Sequence, residues 1–143
     1  MNIAIVGYGN MGREIERLAE KSGVKVVSVI DPNEKSAHKQ INEKSMSDVD
    51  VCVDFTAPQA VIGNIEKISG FRKNMVIGTT GWHDKLARAK SIVNKSGTGL
   101  IYASNFSIGV NIFFRIVENA AKLADKIDSY DVYGYELHHN RKI

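Results

Sequence analysis

The sequence predicts an α/β fold, in which a parallel β-sheet is covered by helices on both faces. Short apolar runs recur along the chain, and segments with helical spacing of apolar residues separate them. The runs are typical of strands in a parallel sheet, because they are short and almost continuously apolar. We predict strands over residues 3–6, 24–30, 51–55, 75–77 and 100–103.

The predicted helices lie between these strands. Their apolar residues are Met11, Ile15, Leu18 and Ala19 in the first helix, Val61, Ile65 and Ile68 in the second, and Leu86, Ala89 and Val93 in the third. The alternation of strand and helix predicts βαβ units and therefore parallel strands. Residues 40–47 are polar and fit either a poorly packed helix or a loop.

The last third of the chain carries one more helix and one more strand candidate. Residues 108–127 have a wide apolar stripe that includes Phe113, which predicts a long and well-buried helix. Residues 128–137 return to the composition of a strand. We therefore expect one domain over residues 1–127 and the start of a second domain over residues 128–143.

Composition and charge fit one ordinary globular domain. Of 143 residues, 43% are hydrophobic and 24% are charged, which is too little charge for a disordered chain. The net charge of +3 comes from 19 basic and 16 acidic side chains that are interleaved along the chain, so no nucleic-acid interface is expected. The chain opens with neither a charged leader nor a long apolar stretch. We therefore expect no signal peptide, no membrane span and a cytoplasmic location.

A glycine-rich sequence follows the first predicted strand. Gly7, Gly9 and Gly12 form the pattern G-x-G-x-x-G between a strand and a helix. In a dinucleotide-binding turn, the first glycine permits the tight turn, the second lets the backbone approach a diphosphate, and the third allows helix and strand to pack closely. Free N–H groups and the helix dipole then attract the diphosphate. The pattern predicts a Rossmann-type doubly wound sheet, with a purely structural glycine turn as the alternative.

Asp31 ends the second predicted strand, at the position where this motif expects an acid. Such an acid accepts hydrogen bonds from an adenosine ribose and repels a 2′-phosphate. No Arg or Lys follows at once, so NADH is the expected cofactor. Lys35 is the nearest cation that follows in the sequence and keeps NADPH as an alternative. A simple turn around Asp31 is the structural explanation that stays open.

Residues suited to bind a ligand follow three further strands. These strand ends are Asp54-Phe55-Thr56-Ala57-Pro58, Gly78-Thr79-Thr80-Gly81-Trp82 and Ser104-Asn105-Phe106-Ser107. Ligands of doubly wound sheets lie beyond the carboxyl ends of the strands, so these segments predict contacts with a nicotinamide and its ribose. Taken singly, Thr56 and Ser107 are also suited to cap a helix.

The final residues contain a cluster of His138, His139 and Lys142. These side chains can supply protons and bind carboxylates, whereas the alternative is a solvated basic tail. No further group of His, Cys or carboxylate residues completes a set of metal ligands, so no metal site is expected.

These residues together resemble the dihydrodipicolinate reductase (4-hydroxy-tetrahydrodipicolinate reductase) family of the diaminopimelate and lysine pathway. The resemblance covers the whole chain and rests on the glycine loop, Asp54-Phe55-Thr56, Gly78-Thr79-Thr80-Gly81, residues 103–111 and residues 136–142. The last two strings are much more specific than the glycine pattern. The glycine loop is one residue shorter than the common family form. The family also continues beyond this point with a substrate-binding sheet, so we expect a truncated second domain.

The resemblance implies reduction of a cyclic dihydrodipicolinate-type dicarboxylate to tetrahydrodipicolinate by NADH or NADPH. It implies that His138 donates a proton, that Lys142 is a second catalytic cation, and that His139 binds a substrate carboxylate. The implied cofactor contacts are Gly7, Tyr8, Gly9, Asn10, Met11, Gly12, Asp31, Gly78, Thr79, Thr80, Ala103, Ser104, Asn105 and Phe106. A homo-oligomer, tetrameric in the complete family protein, is also implied.

Two other functions stay open from the sequence. One is a non-catalytic NAD(H)-binding regulatory module, and the other is a different two-domain dehydrogenase of amino-acid biosynthesis. Neither requires the terminal histidines and lysine together with the Ser104-Asn105-Phe106 string. We expect nucleotide binding from this chain and little turnover from it alone, since His138 and Lys142 lie near its end.

Overall fold

A computed structural model describes residues 1–137 of the chain. The described residues form two compact units, the first over Met1–Ser104 and the second beginning at Asn105. The predicted division at residues 127 and 128 stays a prediction.

The first unit contains a five-stranded parallel sheet, as predicted. The strands are β1 (Asn2–Val6), β2 (Lys25–Ile30), β3 (Val51–Asp54), β4 (Asn74–Ile77) and β5 (Leu100–Tyr102). Their order in the sheet is β2-β1-β3-β4-β5. All five predicted strands are therefore confirmed, with ends that differ from the prediction by one residue.

Three helices connect these strands. They are α1 (Asn10–Lys21), α2 (Pro58–Gly70) and α3 (Leu86–Ser96), and a short 3₁₀ turn (His83–Lys85) precedes α3. The apolar side chains divide into two clusters. The larger one lies among α2, α3 and the sheet and includes Ile65 and Trp82, whereas the smaller one joins α1 to Ile3 and Ile5. Helices on both faces of a parallel sheet are the doubly wound architecture that the sequence predicts.

The strand order determines where a ligand can bind. From β1 the chain first adds β2 on one side and then crosses to place β3 on the other side. In such sheets the connections at this reversal leave a crevice beyond the carboxyl ends of the two neighbouring strands. Here the crevice lies beyond β1 and β3, next to the glycine-rich loop.

The turn between β1 and α1 requires glycine at two positions. Gly7 has φ +88°, a backbone conformation that other residues rarely adopt. A Cβ on Gly12 would overlap the carbonyl oxygen of Gly7, so α1 approaches the end of β1 more closely than an alanine would allow. These are the first and third roles that the sequence assigns to the pattern.

Residues 31–50 connect β2 to β3 by turns, so the segment at 40–47 that the sequence left undecided is a loop. It is a well-anchored loop, because Met46 and Val49 are buried in the larger cluster. The buried hydroxyl of Ser45 also donates to the carbonyl of Gln40 and accepts the N–H of Asn42.

The second unit begins with α4 (Ile108–Ala124), which confirms the predicted helix but not its burial. None of its residues is buried, and Phe113 and Phe114 are more than half exposed. The physical reason lies within its own unit, where the described residues after the helix form turns and irregular chain that offer no surface to pack against. An apolar stripe thus predicted the helix correctly and its environment wrongly.

The predicted strand at residues 128–137 is wrong, since these residues form a turn and irregular chain. A strand is stable only when its N–H and C=O groups pair with a neighbour. Among the described residues, no strand pairs with this segment, so its β-like composition does not suffice. No helix in residues 1–137 combines the length and apolar character that a membrane crossing requires.

We predict that Gly12→Ala lowers the free energy of unfolding by about 1–3 kcal/mol, because the added methyl group must push α1 away from Gly7. Gly63→Ala is the matched control, since Gly63 lies in α2 with open space around the position of a Cβ. That control should be neutral or stabilising by up to about 1 kcal/mol. Urea unfolding of both variants measures the difference, and equal stabilities would contradict the close approach.

Candidate functional site

The start of α1 leaves backbone donors without side-chain partners. Gly9 precedes the first helical residue, Asn10, and no side chain caps the helix. The first N–H groups of a helix have no acceptor within the helix, and together with the helix dipole they favour an anion. The arrangement fits the predicted role of the loop in binding a diphosphate.

Gly9 occupies the centre of this edge of the sheet. It borders three depressions, one beside the ends of β1, β2 and β3, one beside the ends of β3 and β4, and one between Arg13 and Glu34. A Cβ on Gly9 would meet no protein atom within 4 Å. The absence of a side chain here is therefore not needed for packing, and it leaves open space in front of the loop.

Asp31 ties the end of β2 to the glycine loop. One of its carboxylate oxygens accepts the backbone N–H of Tyr8 at 2.8 Å, and the other accepts the N–H of Asn33 at 2.8 Å. The Tyr8 N–H is the main reason that the pKa of Asp31 is lowered, so the carboxylate is ionised at neutral pH. Because a carboxylate has about four acceptor positions, Asp31 can still accept bonds from a ligand. The N–H of Tyr8, in contrast, is already engaged.

A cavity of about 370 Å³ lies beside the ends of β1, β2 and β3. Ile30, Ile41 and Ala60 contribute apolar walls, whereas Asp31 and Lys39 contribute opposite charges. Lys39 reaches this position because His38 pairs with the end of β2, where the Asp31 N–H donates to the His38 carbonyl at 2.9 Å. The cavity combines an apolar interior with a few polar groups, which is typical of a small-molecule site.

The cations near Asp31 differ from the one that the sequence suggested. Lys35 does not line either depression that borders Asp31, whereas Lys39 lines the larger one and Arg13 lines the smaller one. Arg13 directly follows the last glycine of the loop, and this position in the first turn of α1 was the available signal. No sequence pattern indicated Lys39, because it depends on the fold of residues 31–50.

The ends of β3 and β4 are joined by the buried carboxylate of Asp54, which the sequence places in a segment predicted to contact the ligand. One oxygen of Asp54 accepts the N–H of Thr56 at 3.0 Å and the hydroxyls of Thr56 and Thr79 at 2.7 and 3.2 Å. The other oxygen accepts the side-chain amide of Asn64 in α2 at 2.8 Å. Asp54 is fully buried, so it positions two loops and does not itself face a ligand.

Thr79 takes part in the hydrogen bonds around Asp54 and links the loops that follow β3 and β4. The Thr79 hydroxyl accepts the N–H of Thr56 at 2.8 Å, and the Thr79 carbonyl accepts the indole N–H of Trp82 at 2.8 Å. Thr79 thus holds the β4 loop against the β3 loop. Burial is the largest influence on Asp54 and raises the pKa of its carboxyl, against the effect of the hydrogen bonds that it accepts.

The second depression brings together residues from two separated parts of the predicted site. It is lined by Gly9, Asn10, Met11, Phe55, Thr56, Pro58, Gly78, Thr79 and Thr80. Gly78 is needed for this arrangement, because a Cβ there would overlap the ring of Phe55. The residues predicted at the loop and after β4 are therefore neighbours, and Phe55 and Thr56 join them.

The remaining predicted residues fall into two groups. Ala103 extends β5, with its N–H donating to the Ile77 carbonyl at 3.4 Å, and Ser104 ends the first unit. Asn105 and Phe106 belong to the second unit, where the Asn105 side chain accepts the N–H of Ser107 at 2.8 Å.

Ser107 caps α4 through the N–H of Val110, whereas Thr56 caps no helix. The predicted catalytic and substrate-binding residues, His138, His139 and Lys142, lie outside the described residues. Within residues 1–137, no three His, Cys, Asp or Glu side chains are grouped to hold a metal ion.

We predict that the stability of the Asp54→Asn variant, relative to that of the unaltered chain, increases as pH rises. A carboxyl whose pKa is raised by folding costs nothing below its unfolded pKa of about 3.9 and its full cost above the folded pKa. The difference in free energy of unfolding, variant minus unaltered chain, should therefore increase with pH between these two values and then stay constant. Urea unfolding at a series of pH values measures it, with Asp84→Asn as a control at an exposed carboxylate. A difference that falls with pH would contradict the burial of Asp54.

Comparisons with known proteins identify the family of the chain. The family model described as dihydrodipicolinate reductase, N-terminus, matches residues 1–106. The 4-hydroxy-tetrahydrodipicolinate reductase of Christiangramia forsetii is 37% identical over 145 residues, which span 100% of this chain and 58% of the relative. The enzyme of the same name from Staphylococcus epidermidis is 32% identical, again over 100% of this chain and 58% of the relative.

A solved structure supports the same relationship. The dipicolinate-bound dihydrodipicolinate reductase from Paenisporosarcina sp. TG-14 superposes with a TM-score of 0.68 and 26% identity, over 85% of this chain and 53% of that chain. This chain thus spans a little more than half the length of each of these three relatives. Since the family model covers most of its residues, the chain belongs to the dihydrodipicolinate reductase family and corresponds to the N-terminal part of its members.

Proposed function

We propose that this chain is the nucleotide-binding part of a dihydrodipicolinate reductase and that it holds NADH at the carboxyl edge of its sheet. The observation that carries the proposal is the uncapped start of α1 at Gly9, which opens onto three depressions with an ionised acid, Asp31, beside it. The family binds a nicotinamide cofactor. The relatives' shared name supports an oxidoreductase role for the whole protein.

The residues present fit such a cofactor. Gly9 leaves open space where a diphosphate would approach the backbone, and the N–H groups of Asn10 and Met11 begin the helix there. Asp31 retains acceptor capacity for ribose hydroxyls, and the adjoining cavity of about 370 Å³ has apolar walls suited to a planar base. Gly78, Thr79, Thr80, Ala103 and Ser104 are the proposed neighbours of the nicotinamide half.

The cofactor would supply a hydride to the substrate. The work of the described residues is to hold and orient that donor, since reacting groups must lie about 3–3.5 Å apart in a productive arrangement. The Asp54 network serves this end by fixing the loop that carries Thr56 to the loop that carries Thr79. A rigid edge at β3 and β4 limits the positions that a nicotinamide can adopt.

We further propose a dihydrodipicolinate-type dicarboxylate as the substrate of the complete protein. The relative with bound dipicolinate supports a ring of this class. In this proposal His138 donates the proton, Lys142 is a second catalytic cation, and His139 binds a substrate carboxylate. These roles follow from the family resemblance of residues 136–142.

NADH is the proposed preference over NADPH. Asp31 is ionised because its pKa is lowered, and a negative charge beside the ribose opposes the charge of a 2′-phosphate. Asp31 would also lose a hydroxyl partner if the ribose carried a phosphate at that position. NADPH remains a weaker ligand in this proposal.

We expect NADH to bind the chain saturably below millimolar concentration. Trp82 is the only tryptophan of the chain and bonds to the Thr79 carbonyl, so its fluorescence reports binding at this edge. Gly9→Ala should weaken NADH about tenfold, or about 1.4 kcal/mol, without changing stability, because its methyl group occupies the open space before the loop. Absence of a saturable signal, confirmed by calorimetry, would refute the proposed function.

We expect Asp31→Asn to weaken NADH about tenfold or more, since a hydrogen bond to a charged group contributes about 1.5–3 kcal/mol. The amide keeps one acceptor oxygen for the Tyr8 N–H, so the loop should stay in place. Binding of NADPH should weaken less, and the ratio of the NADH and NADPH dissociation constants should move toward one. Calorimetric titration of both cofactors provides the values. Tighter binding of NADPH than of NADH by the unaltered chain would show that the assignment of Asp31 is wrong.

A further inference from the structure

Arg13 forms an ion pair with Glu34 beside the proposed ribose site. Without this partner, Arg13 would be free to bind a phosphate of the ligand. Its guanidinium lies 2.7 Å from a carboxylate oxygen of Glu34 and stacks over the ring of Tyr8, 4.4 Å from the ring centre. Arg13, Tyr8 and Glu34 line one depression together with Asp31, the proposed ribose-binding acid. Any phosphate attached to that ribose and directed into this depression would meet the Arg13–Glu34 pair.

Glu34 also contacts Lys39, a second cation near Asp31. The Lys39 ammonium donates to the backbone carbonyl of Glu34, while Lys39 lines the larger cavity that borders Asp31. Glu34 thus binds Arg13 with its carboxylate and Lys39 with its main chain, whereas Lys67, which also lines the larger cavity, belongs to α2. The main-chain bond does not depend on the side chain of Glu34, so a substitution there separates the two contacts.

The depression around Arg13 has an excess of negative charge. Besides Asp31 and Glu34, Glu16 lies close by and accepts the hydroxyl of Tyr8. The Arg13 side chain is the main reason that the pKa of Glu34 is lowered, so Glu34 stays ionised at neutral pH. Arg13 is the one cation lining this depression among the described residues, and Glu34 neutralises it.

We propose that Glu34 is a specificity-determining residue, which occupies Arg13 and thereby denies a cofactor 2′-phosphate its cation. The inference rests on the proposed function, because it assumes that the adenosine ribose binds at Asp31. Arginine is well suited to phosphate, since its planar fork donates two parallel hydrogen bonds. A free Arg13 would therefore favour NADPH. When Arg13 is paired with Glu34, the negative charge of Asp31 repels the 2′-phosphate and NADH is favoured.

The pair is exposed enough to limit the size of the effect. The Arg13 side chain is 58% exposed and the Glu34 side chain 25%, and pairs of this kind contribute little individually. Glu34 thus acts by competing with a phosphate for Arg13, and it does not lock the arginine in place. We expect Glu34→Gln to strengthen NADPH binding about three- to tenfold and to change NADH binding less than twofold.

A matched control lies on the same helix. Glu14 pairs with Arg17 on exposed positions of α1, and neither residue lines the depressions around Asp31. Glu14→Gln therefore removes the same charge from the chain and frees another arginine away from the site. The experiment is a calorimetric titration of NADH and NADPH against four proteins. These are the unaltered chain, Glu34→Gln, Glu14→Gln, and the double variant that combines Arg13→Ala with Glu34→Gln.

The expected result is a gain in NADPH affinity in Glu34→Gln alone, which is lost in the double variant and which shrinks with added salt. An equal gain in Glu14→Gln would mean that overall charge is responsible and would overturn the proposal. So would a gain that persists without Arg13, or the absence of any gain in a chain that binds NADH. If the unaltered chain binds no NADH, the proposed function fails first and the inference falls with it.

Discussion

The close approach of α1 to the end of β1 is the constraint around which the site is arranged. Gly7 turns the chain with a positive φ, and Gly12 lets the helix pack against the carbonyl of Gly7. The same turn is fixed from both sides, because the Gly7 N–H donates to Ile30 at the end of β2 and the Phe55 N–H donates to Val6 at the end of β1. The open donors of α1 are therefore held at the reversal point of the sheet, where the strand order leaves room for a ligand.

Most of the fold could be predicted because it depends on local patterns. The spacing of apolar residues and the length of each apolar run were enough to locate the five strands and the helices between them. The spacing of glycines located the turn between β1 and α1. Residues 108–137 show the limit of such patterns. The apolar stripe of α4 and the β-like composition of residues 128–137 describe what each segment would suit, but burial and strand pairing require a partner surface. The pattern of each segment alone does not specify such a surface.

Some residues of the candidate site could be predicted because they act through their own backbone or because they lie at the end of a strand. Gly9, Asp31 and Gly78 lie at this edge as the sequence suggested. Asp54 was predicted among the ligand contacts and Lys39 was not predicted at all, since the role of the first and the position of the second depend on contacts between distant segments. Asp54 takes its role from Asn64 and Thr79, and Lys39 takes its place from a loop that pairs with β2.

The two acids that end β2 and β3 show how the same residue type performs different work at one edge. Asp31 is half-buried and accepts backbone N–H groups, which stabilise its ionised form and leave part of its acceptor capacity for a ligand. Asp54 is fully buried, and its oxygens are surrounded by four donor groups of the protein. Burial opposes its ionisation and raises its pKa, whereas the hydrogen bonds that the loops donate act in the opposite direction. A carboxylate that must remain available to a ligand has to stay at the surface, whereas a carboxyl group that orders loops can be buried. The division between binding and positioning at this edge therefore follows from burial and from which donors the fold supplies.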